Sequence, residues 1–110
     1  MHELSLTQNL LDIALQNAYS RRIVNVHLLL GPFSDEREEN IRFYWRDLAK
    51  GTLGEGARLY FRHVKPEMKC LACGGTFDFD NDQSICVYCQ SDRLQLLSGD
   101  EVRLESIDVE

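Results

Sequence analysis

The sequence lacks two features that would tie it to a membrane. It contains no apolar run near the length needed to cross a bilayer. Its N-terminus also lacks the apolar stretch of a secretory signal peptide. We therefore expect a soluble, cytoplasmic protein, and its 110 residues have room for one domain, or for one small domain with a satellite.

Positive charge is scarce as well. The chain has 12 Lys and Arg residues against 18 Asp and Glu residues, which gives a formal net charge of −6. Proteins that bind polyanions are usually basic. The charge balance therefore argues against nucleic acid and against an anionic membrane as partners.

Catalytic motifs are absent too. Gly51, Gly54 and Gly56 lie close together, but they lack the lysine and the following helix of a phosphate-binding loop. No set of nucleophile, base and orienting residue can be assembled from the side chains present. The sequence therefore predicts a protein that is not an enzyme.

Hydrophobic periodicity predicts helices alternating with strands in the first part of the chain. Apolar residues recur with the 3.6-residue period of a helix in two segments and with the two-residue period of a strand in two others. These segments are a helix over about Leu4–Tyr19, a strand over Ile23–Leu30, a helix that ends near Lys50-Gly51, and a strand over Ala57–Val64. Asp35 and Glu38 have capping-box spacing and are predicted to begin the second helix.

The last part of the chain predicts two further strands. Leu94–Leu97 and Val102–Val109 flank Gly99-Asp100 and are predicted to form a hairpin, with a β-bulge near Glu105 or Ser106 where the apolar phase changes. The whole order predicts an α+β fold, with a small mixed three-stranded sheet packed by two helices and an inserted four-cysteine, zinc-ribbon-like lobe. The expected domains are residues 1–66, completed by a C-terminal strand at 101–110, and a lobe at 67–100.

Four cysteines form two pairs with metal-ligand spacing. Cys70 and Cys73 are separated from Cys86 and Cys89 by twelve residues. Two such C-x-x-C hooks can close a tetrahedral four-sulfur shell that leaves no position for substrate, which favours structural zinc over a thiol–disulfide motif or a catalytic metal. Four sulfurs also suit iron, so an iron electron carrier stays open at this point.

The N-terminal residues offer a second set of ligands. The terminal amine of Met1, the amide and imidazole nitrogens of His2 and the amide nitrogen of Glu3 can surround one metal ion in a plane. Planar nitrogen ligation favours nickel(II) or copper(II) over zinc or magnesium. From these residues alone, a frayed, solvated terminus is the stronger interpretation. His27 and His63 fall within predicted strands and are interpreted as structural.

A resemblance to a known family changes that balance. Four stretches occur together and in a fixed order, namely Met1–Leu6, Leu30–Ser34, Glu55–Leu59 and the two C-x-x-C hooks. Together they resemble the HypA/HybF family, nickel-incorporation metallochaperones for nickel–iron hydrogenase and, in some bacteria, urease. The resemblance implies that Met1, His2 and the backbone of Glu3 bind nickel(II) as transient cargo. It also implies that Cys70, Cys73, Cys86 and Cys89 bind structural zinc.

The resemblance also implies partners. These are a nickel-handling GTPase, HypB, and the precursor of a hydrogenase large subunit, with the chain itself a monomer or weak homodimer. Some family members add a histidine of the zinc lobe to the nickel site, but no residue from Cys70 to Glu110 is histidine. A further ligand would then be the Glu3 carboxylate or a water. The competing hypothesis is a zinc-ribbon interaction module with no role in nickel handling.

Overall fold

A computed structural model of the chain describes residues 2–31, 34–79, 84–98 and 101–110, without the side chains of His2 and Ser98. The described residues form two helices and six strands. In chain order these are α1 (His2–Asn17), β1 (Ile23–Leu30), α2 (Glu38–Leu48), β2 (Arg58–His63), β3 (Glu67–Cys70), β4 (Thr76–Asp78), β5 (Leu94–Ser98) and β6 (Val102–Val109). Neither described helix is both long and apolar enough to span a membrane.

The elements agree closely with the periodicity of the sequence. The strand over Ile23–Leu30 is confirmed to the residue. The first helix begins and ends two residues earlier than predicted, and it stops before Tyr19 and Ser20, whose φ angles of 51° and 63° are incompatible with a right-handed helix.

The first sheet has the strand order β2-β1-β6 and is mixed, as predicted. β1 runs parallel to β2 and antiparallel to β6. His27 lies opposite Ser106 and Leu28 lies opposite Leu104, so Glu105 is the extra residue on β6. The β-bulge expected near Glu105 or Ser106 is therefore confirmed.

Both helices contribute to one hydrophobic core with this sheet. Val26 and Leu28 of β1 are fully buried among apolar residues of α1 and α2. Trp45 of α2 is 2% exposed, and its indole nitrogen donates a hydrogen bond to the Gly54 carbonyl at 3.2 Å. Burying an aromatic ring with its one polar atom satisfied anchors α2 to the chain that leads into β2.

The opposite face of the first sheet is polar. His27 stacks on Tyr60 with ring centroids 5.4 Å apart, and its Nε2 lies 2.8 Å from Asp108 Oδ2. Arg62 of β2 and Glu105 of β6 form an ion pair across β1, and the hydrogen bond from Arg62 holds the pKa of the Glu105 carboxyl below its usual value. This face is therefore closed by side-chain pairs rather than by helices.

The second sheet has the strand order β4-β3-β5, which makes the predicted hairpin wrong. β5 pairs antiparallel with β3, whereas β6 pairs with β1 in the first sheet. An isolated two-stranded hairpin is marginally stable, and each strand buries more by completing a sheet of three. The expected turn at Gly99-Asp100 lies outside the described residues.

The cap of α2 comes from a distant residue, so the predicted capping box is also wrong. Arg37 is the N-cap residue and its side chain makes no capping hydrogen bond. The Glu3 carboxylate of α1 instead accepts hydrogen bonds from the Arg37 amide at 2.8 Å and from Asn40 Nδ2 at 2.9 Å. These bonds, led by that of the Arg37 amide, lower the pKa of Glu3. Glu3 therefore joins the beginnings of the two helices.

We expect the Glu3→Ala substitution to lower the free energy of unfolding by about 1 kcal/mol, because it removes the acceptor for the first turn of α2. Urea unfolding followed by Trp45 fluorescence measures the change. The matched control is Glu39→Ala, which removes a carboxylate from the first turn of α2 itself. That carboxylate makes only a weak, exposed contact with the Arg37 guanidinium, at 4.0 Å. Equal losses in the two variants would contradict the capping role.

Candidate metal centre

Two chain segments bring the four cysteines together. Cys70 is the last residue of β3 and Cys73 closes the turn that follows, while Cys86 and Cys89 lie in the second turn. One ligand atom from each of the four lies within 4.8 Å of every other. The structure therefore joins all four predicted zinc ligands in one cluster.

The two C-x-x-C hooks have nearly the same backbone geometry. In the first, the amides of Ala72 and Cys73 point at Cys70 Sγ at 3.4 and 3.5 Å. In the second, the Tyr88 amide points at Cys86 Sγ at 3.3 Å. Amide donors of this kind stabilise a thiolate, which is the form that binds metal.

Each hook closes four residues after its first cysteine at a residue with positive φ. Gly74 has a φ of 79°, and its amide donates to the Cys70 carbonyl. Gln90 has a φ of 66°, and its amide donates to the Cys86 carbonyl. Glycine adopts this conformation at little cost, but glutamine does not. Gly74 therefore reveals the turn of the first hook in the sequence. The turn at Gln90 is indicated only by its position, four residues after Cys86, as Gly74 is four residues after Cys70.

The spacing of the sulfur atoms fits one tetrahedral metal ion. The Cys70–Cys89 and Cys73–Cys86 sulfur pairs are 3.6 and 3.7 Å apart, and all four cysteines are free of disulfides. A zinc–sulfur bond of about 2.3 Å implies sulfurs about 3.8 Å apart at the corners of a tetrahedron. The donor set and its spacing are therefore those of a four-thiolate site.

The thiols differ in how readily they ionise. The amide of Cys73 is the main cause that lowers the pKa of Cys70 to about 6. The Ser91 amide lowers the pKa of Cys89, but the adjacent Cys70 sulfur is among the causes that raise this pKa overall, to about 12. Four thiolates repel one another at this distance, and a divalent cation at their centre would remove that penalty.

The lobe around the cysteines has almost no core of its own. Among residues 67–79 and 84–97, only Cys70 and Cys86 are buried. The Tyr88 ring covers Gly75, packs edge-on against Phe77 and donates a hydrogen bond to the Thr76 carbonyl, yet it remains 66% exposed. With so little apolar burial, the segment depends on a cross-link at the cysteines.

The predicted N-terminal site is only partly described. Met1 and the side chain of His2 lie outside the described residues. The backbone of His2 and Glu3 forms the first turn of α1, and the first four N–H groups of a helix have no partner within it. The Glu3 carboxylate, which the sequence offered as a further ligand, contacts α2.

The other two histidines pair with carboxylates, one each. His27 faces Asp108, and His63 Nε2 lies 3.4 Å from Glu38 Oε2. Their structural interpretation is consistent with these contacts, since each ring joins two elements of the first sheet and its helices.

Comparison with known proteins gives the same family over the full chain. The family model described as "Hydrogenase/urease nickel incorporation, metallochaperone, hypA" matches residues 1–109. The chain is 34% identical over 114 residues to the hydrogenase maturation factor HypA of Caldanaerobacter subterraneus subsp. tengcongensis, with 100% of both chains covered. It is 33% identical over 109 residues to the factor of the same name from Geotalea daltonii, with 99% of both covered.

Two solved structures share the fold. The solution structure of the Ni metallochaperone HypA from Helicobacter pylori superposes with a TM-score of 0.71 at 21% identity, and it covers 97% of this chain and 96% of that one. A solution structure of a HypA protein superposes with a TM-score of 0.78 at 23% identity, with 100% and 97% covered. The two-helix sheet and the cysteine lobe are therefore an arrangement already known in solved proteins.

Proposed function

Because the chain belongs to the HypA family of nickel-incorporation metallochaperones and hydrogenase maturation factors, we propose that it binds nickel(II) at its N-terminus and delivers it to a hydrogenase precursor. The observation that carries this proposal is the family match from residue 1 to residue 109, which includes both candidate metal sites. The role consists of binding and release, with no bond made or broken in a substrate.

We propose that nickel is bound by the amine of Met1, the amide and imidazole nitrogens of His2 and the amide nitrogen of Glu3. Four nitrogens in a plane suit nickel(II). The first-turn position of His2 and Glu3 supports this, because their N–H groups have no acceptor within the helix and can ionise without breaking its ladder. The Glu3 carboxylate then keeps its place at α2, and a planar set of nitrogens is complete without it.

We propose that the four cysteines hold zinc. Zinc supplies a structural cross-link and, with four thiolates around it, has no position left for another ligand. The exposed apolar surface of the lobe supports this, since burial alone does not hold its three short strands. We take residues 67–100 as this zinc lobe, and residues 1–66 with strand 101–110 as the nickel domain.

The partners that we propose follow from the family. A GTPase, HypB, acts with the chain in nickel transfer, and the large subunit of a nickel–iron hydrogenase receives the metal in the cytoplasm. The family description names urease beside hydrogenase, whereas the similar relatives are named hydrogenase maturation factors. Hydrogenase is therefore the acceptor that we propose, with urease as the alternative.

Complementation tests this function. In cells that lack their own HypA, we expect the chain to restore nickel content and activity to the hydrogenase, and we expect His2→Ala to restore neither. His63→Ala is the matched control, because it removes a histidine that contacts Glu38 rather than the proposed cargo. Excess nickel in the medium should bypass the defect of His2→Ala. Full restoration by His2→Ala at low nickel would contradict the proposed function.

A further inference from the structure

A groove of about 530 Å³ lies between α2 and β2, and the core residues Trp45 and Leu59 form part of its lining. We call it the α2–β2 groove. Its walls carry four cationic side chains and one carboxylate, namely Arg42, Arg46, Lys50, Arg58 and Glu55. The groove is thus strongly cationic although the whole chain has a net charge of −6.

The cations of the groove are accessible. Arg42, Arg46 and Lys50 are exposed; the first two lie one turn apart on α2, and Lys50 follows four residues later, just beyond the C-cap Ala49. Arg42 lies 3.0 Å from Glu38, and Lys50 lies 3.5 Å from Asp47 in a pair whose side chains are about two-thirds exposed. Such surface pairs are worth little and exchange readily for another carboxylate.

Two of the cations have no partner in the part of the chain that the structure describes. Neither Arg46 nor Arg58 forms an ion pair there. An anion that enters the groove therefore meets unpaired positive charge on both of its walls.

The second wall is the edge of a sheet. β2 pairs with β1 on one side, and no described strand pairs with its other side. The Val64 amide donates to the Leu30 carbonyl of β1. Successive residues of a strand direct their backbone groups to opposite sides, so the N–H and C=O groups of Leu59, Phe61 and His63 point away from β1. An unpaired edge of this kind is a template for an added strand.

Helix and strand run side by side along the groove. Glu38 at the beginning of α2 contacts His63 at the end of β2, and Arg42 one turn later lies over the Phe61 ring at 4.9 Å. The cations of α2 therefore form a row that follows the strand edge.

The spacings along the two walls match. Residues four apart on a helix rise about 6 Å, which is the step from Arg42 to Arg46, and Lys50 extends the row just beyond the helix end. Alternate residues of an extended strand repeat about every 6.6 Å, with their side chains on one face. A strand added to β2 would therefore place every second side chain close to one cation of this row.

We propose that the α2–β2 groove binds an extended acidic peptide of a partner protein, which adds to the edge of β2 and places alternate carboxylates against Arg42, Arg46 and Lys50. This goes beyond the proposed nickel role, since the groove contains none of the proposed metal ligands. A peptide fits better than nucleic acid, because the edge of β2 presents free backbone N–H and C=O groups that another strand can pair with. The net negative charge of the rest of the protein also repels a long polyanion.

Fluorescence anisotropy with a labelled nine-residue peptide, in which glutamate alternates with threonine, tests the proposal on the intact zinc-loaded chain. We expect binding at low salt, and loss of most of that binding when glutamine replaces glutamate. Arg46→Glu should weaken binding by about tenfold or more, the equivalent of a lost close charge pair turned repulsive. The matched control is Arg93→Glu, which reverses an exposed charge in the cysteine lobe.

Backbone methylation tests the added strand separately from charge. A strand at the edge of a sheet directs every second N–H at its neighbour. Two peptides are compared, one N-methylated at its odd-numbered residues and the other at its even-numbered residues. One of them should lose binding and the other should keep it. Equal binding by both would overturn the strand geometry.

Three further results would overturn the proposal. These are equal affinity for the glutamate and glutamine peptides, equal effects of Arg46→Glu and Arg93→Glu, and displacement of the peptide by single-stranded DNA at lower concentration than unlabelled peptide. If Arg46→Glu fails to fold by urea unfolding, Arg58→Gln replaces it with the same expected direction. Nickel binding should be unchanged in either variant, so failure here is distinguishable from failure of the proposed nickel function.

Discussion

Replacement of Cys86 by serine is expected to unfold the second sheet while the first sheet keeps its structure. Cys86 and Cys70 are the only buried residues among 67–79 and 84–97, so no apolar core would hold the lobe folded without the cysteine cross-link. Structural zinc sites contribute about 10–16 kcal/mol of apparent binding free energy, which is comparable to the whole stability of a domain. Loss of one thiolate therefore removes most of what folds the lobe.

The first sheet should survive because its core is built from other residues. The buried cluster around Trp45, Leu11 and Val26 contains no residue of the lobe. Amide signals of β3, β4 and β5 should collapse in an NMR spectrum of Cys86→Ser, whereas those of α1, β1 and α2 stay dispersed. Bound zinc should fall from one equivalent to a small fraction.

Tyr88→Phe is the control within the same hook. It removes the hydrogen bond to the Thr76 carbonyl but leaves every sulfur in place. We expect it to lower stability by about 1 kcal/mol and to keep one zinc. A Cys86→Ser protein that retains the dispersed signals of the second sheet would contradict the account of the lobe.

Replacement of His2 by alanine is expected to abolish specific nickel binding and leave zinc in place. Loss of a residue that only orients a metal ligand typically costs about 10- to 100-fold in metal affinity, so loss of a direct ligand should cost about 100-fold or more. Calorimetry of zinc-loaded protein measures it, with His63→Ala as the control that keeps nickel affinity. Equal affinity of His2→Ala and the unsubstituted chain would contradict the proposed site.

Local patterns were sufficient to predict much of the fold. Alternation alone gave the bounds of Ile23–Leu30, and the phase change in Val102–Val109 located the bulge at Glu105. The spacing of the cysteines also predicts the four-sulfur cluster that the structure shows. Each of these depends on residues that lie within one element or one repeated motif.

Two of the failures involve contacts between distant parts of the chain. Glu3 caps α2 across 34 residues, so no local pattern around Asp35 and Glu38 could reveal it. The partner of β5 is β3 rather than its neighbour in sequence, because the hydrophobic pattern of a strand does not specify which sheet it completes. The turn at Gln90 was hidden because its conformation follows from the hook rather than from the residue type.

The cationic groove could be predicted from the sequence only in part. The four-residue spacing of Arg42, Arg46 and Lys50 is visible in the sequence, where it is typical of a solvated helix face. Only the sheet order shows that this face runs beside an unpaired edge of β2. The interpretation of a charge row thus depends on the topology around it.

The proposed nickel site depends on a free amino group at Met1. The most direct measurement is a nickel titration, followed by absorption spectroscopy, of zinc-loaded protein that begins at Met1 and of the same protein with one glycine added before Met1. In the first protein we expect one nickel per chain, a planar nickel(II) absorption band, proton release on binding and an affinity that rises with pH. In the second protein we expect neither the band nor specific binding. Equal nickel binding by both proteins, or sulfur-to-nickel absorption with loss of zinc, would contradict it.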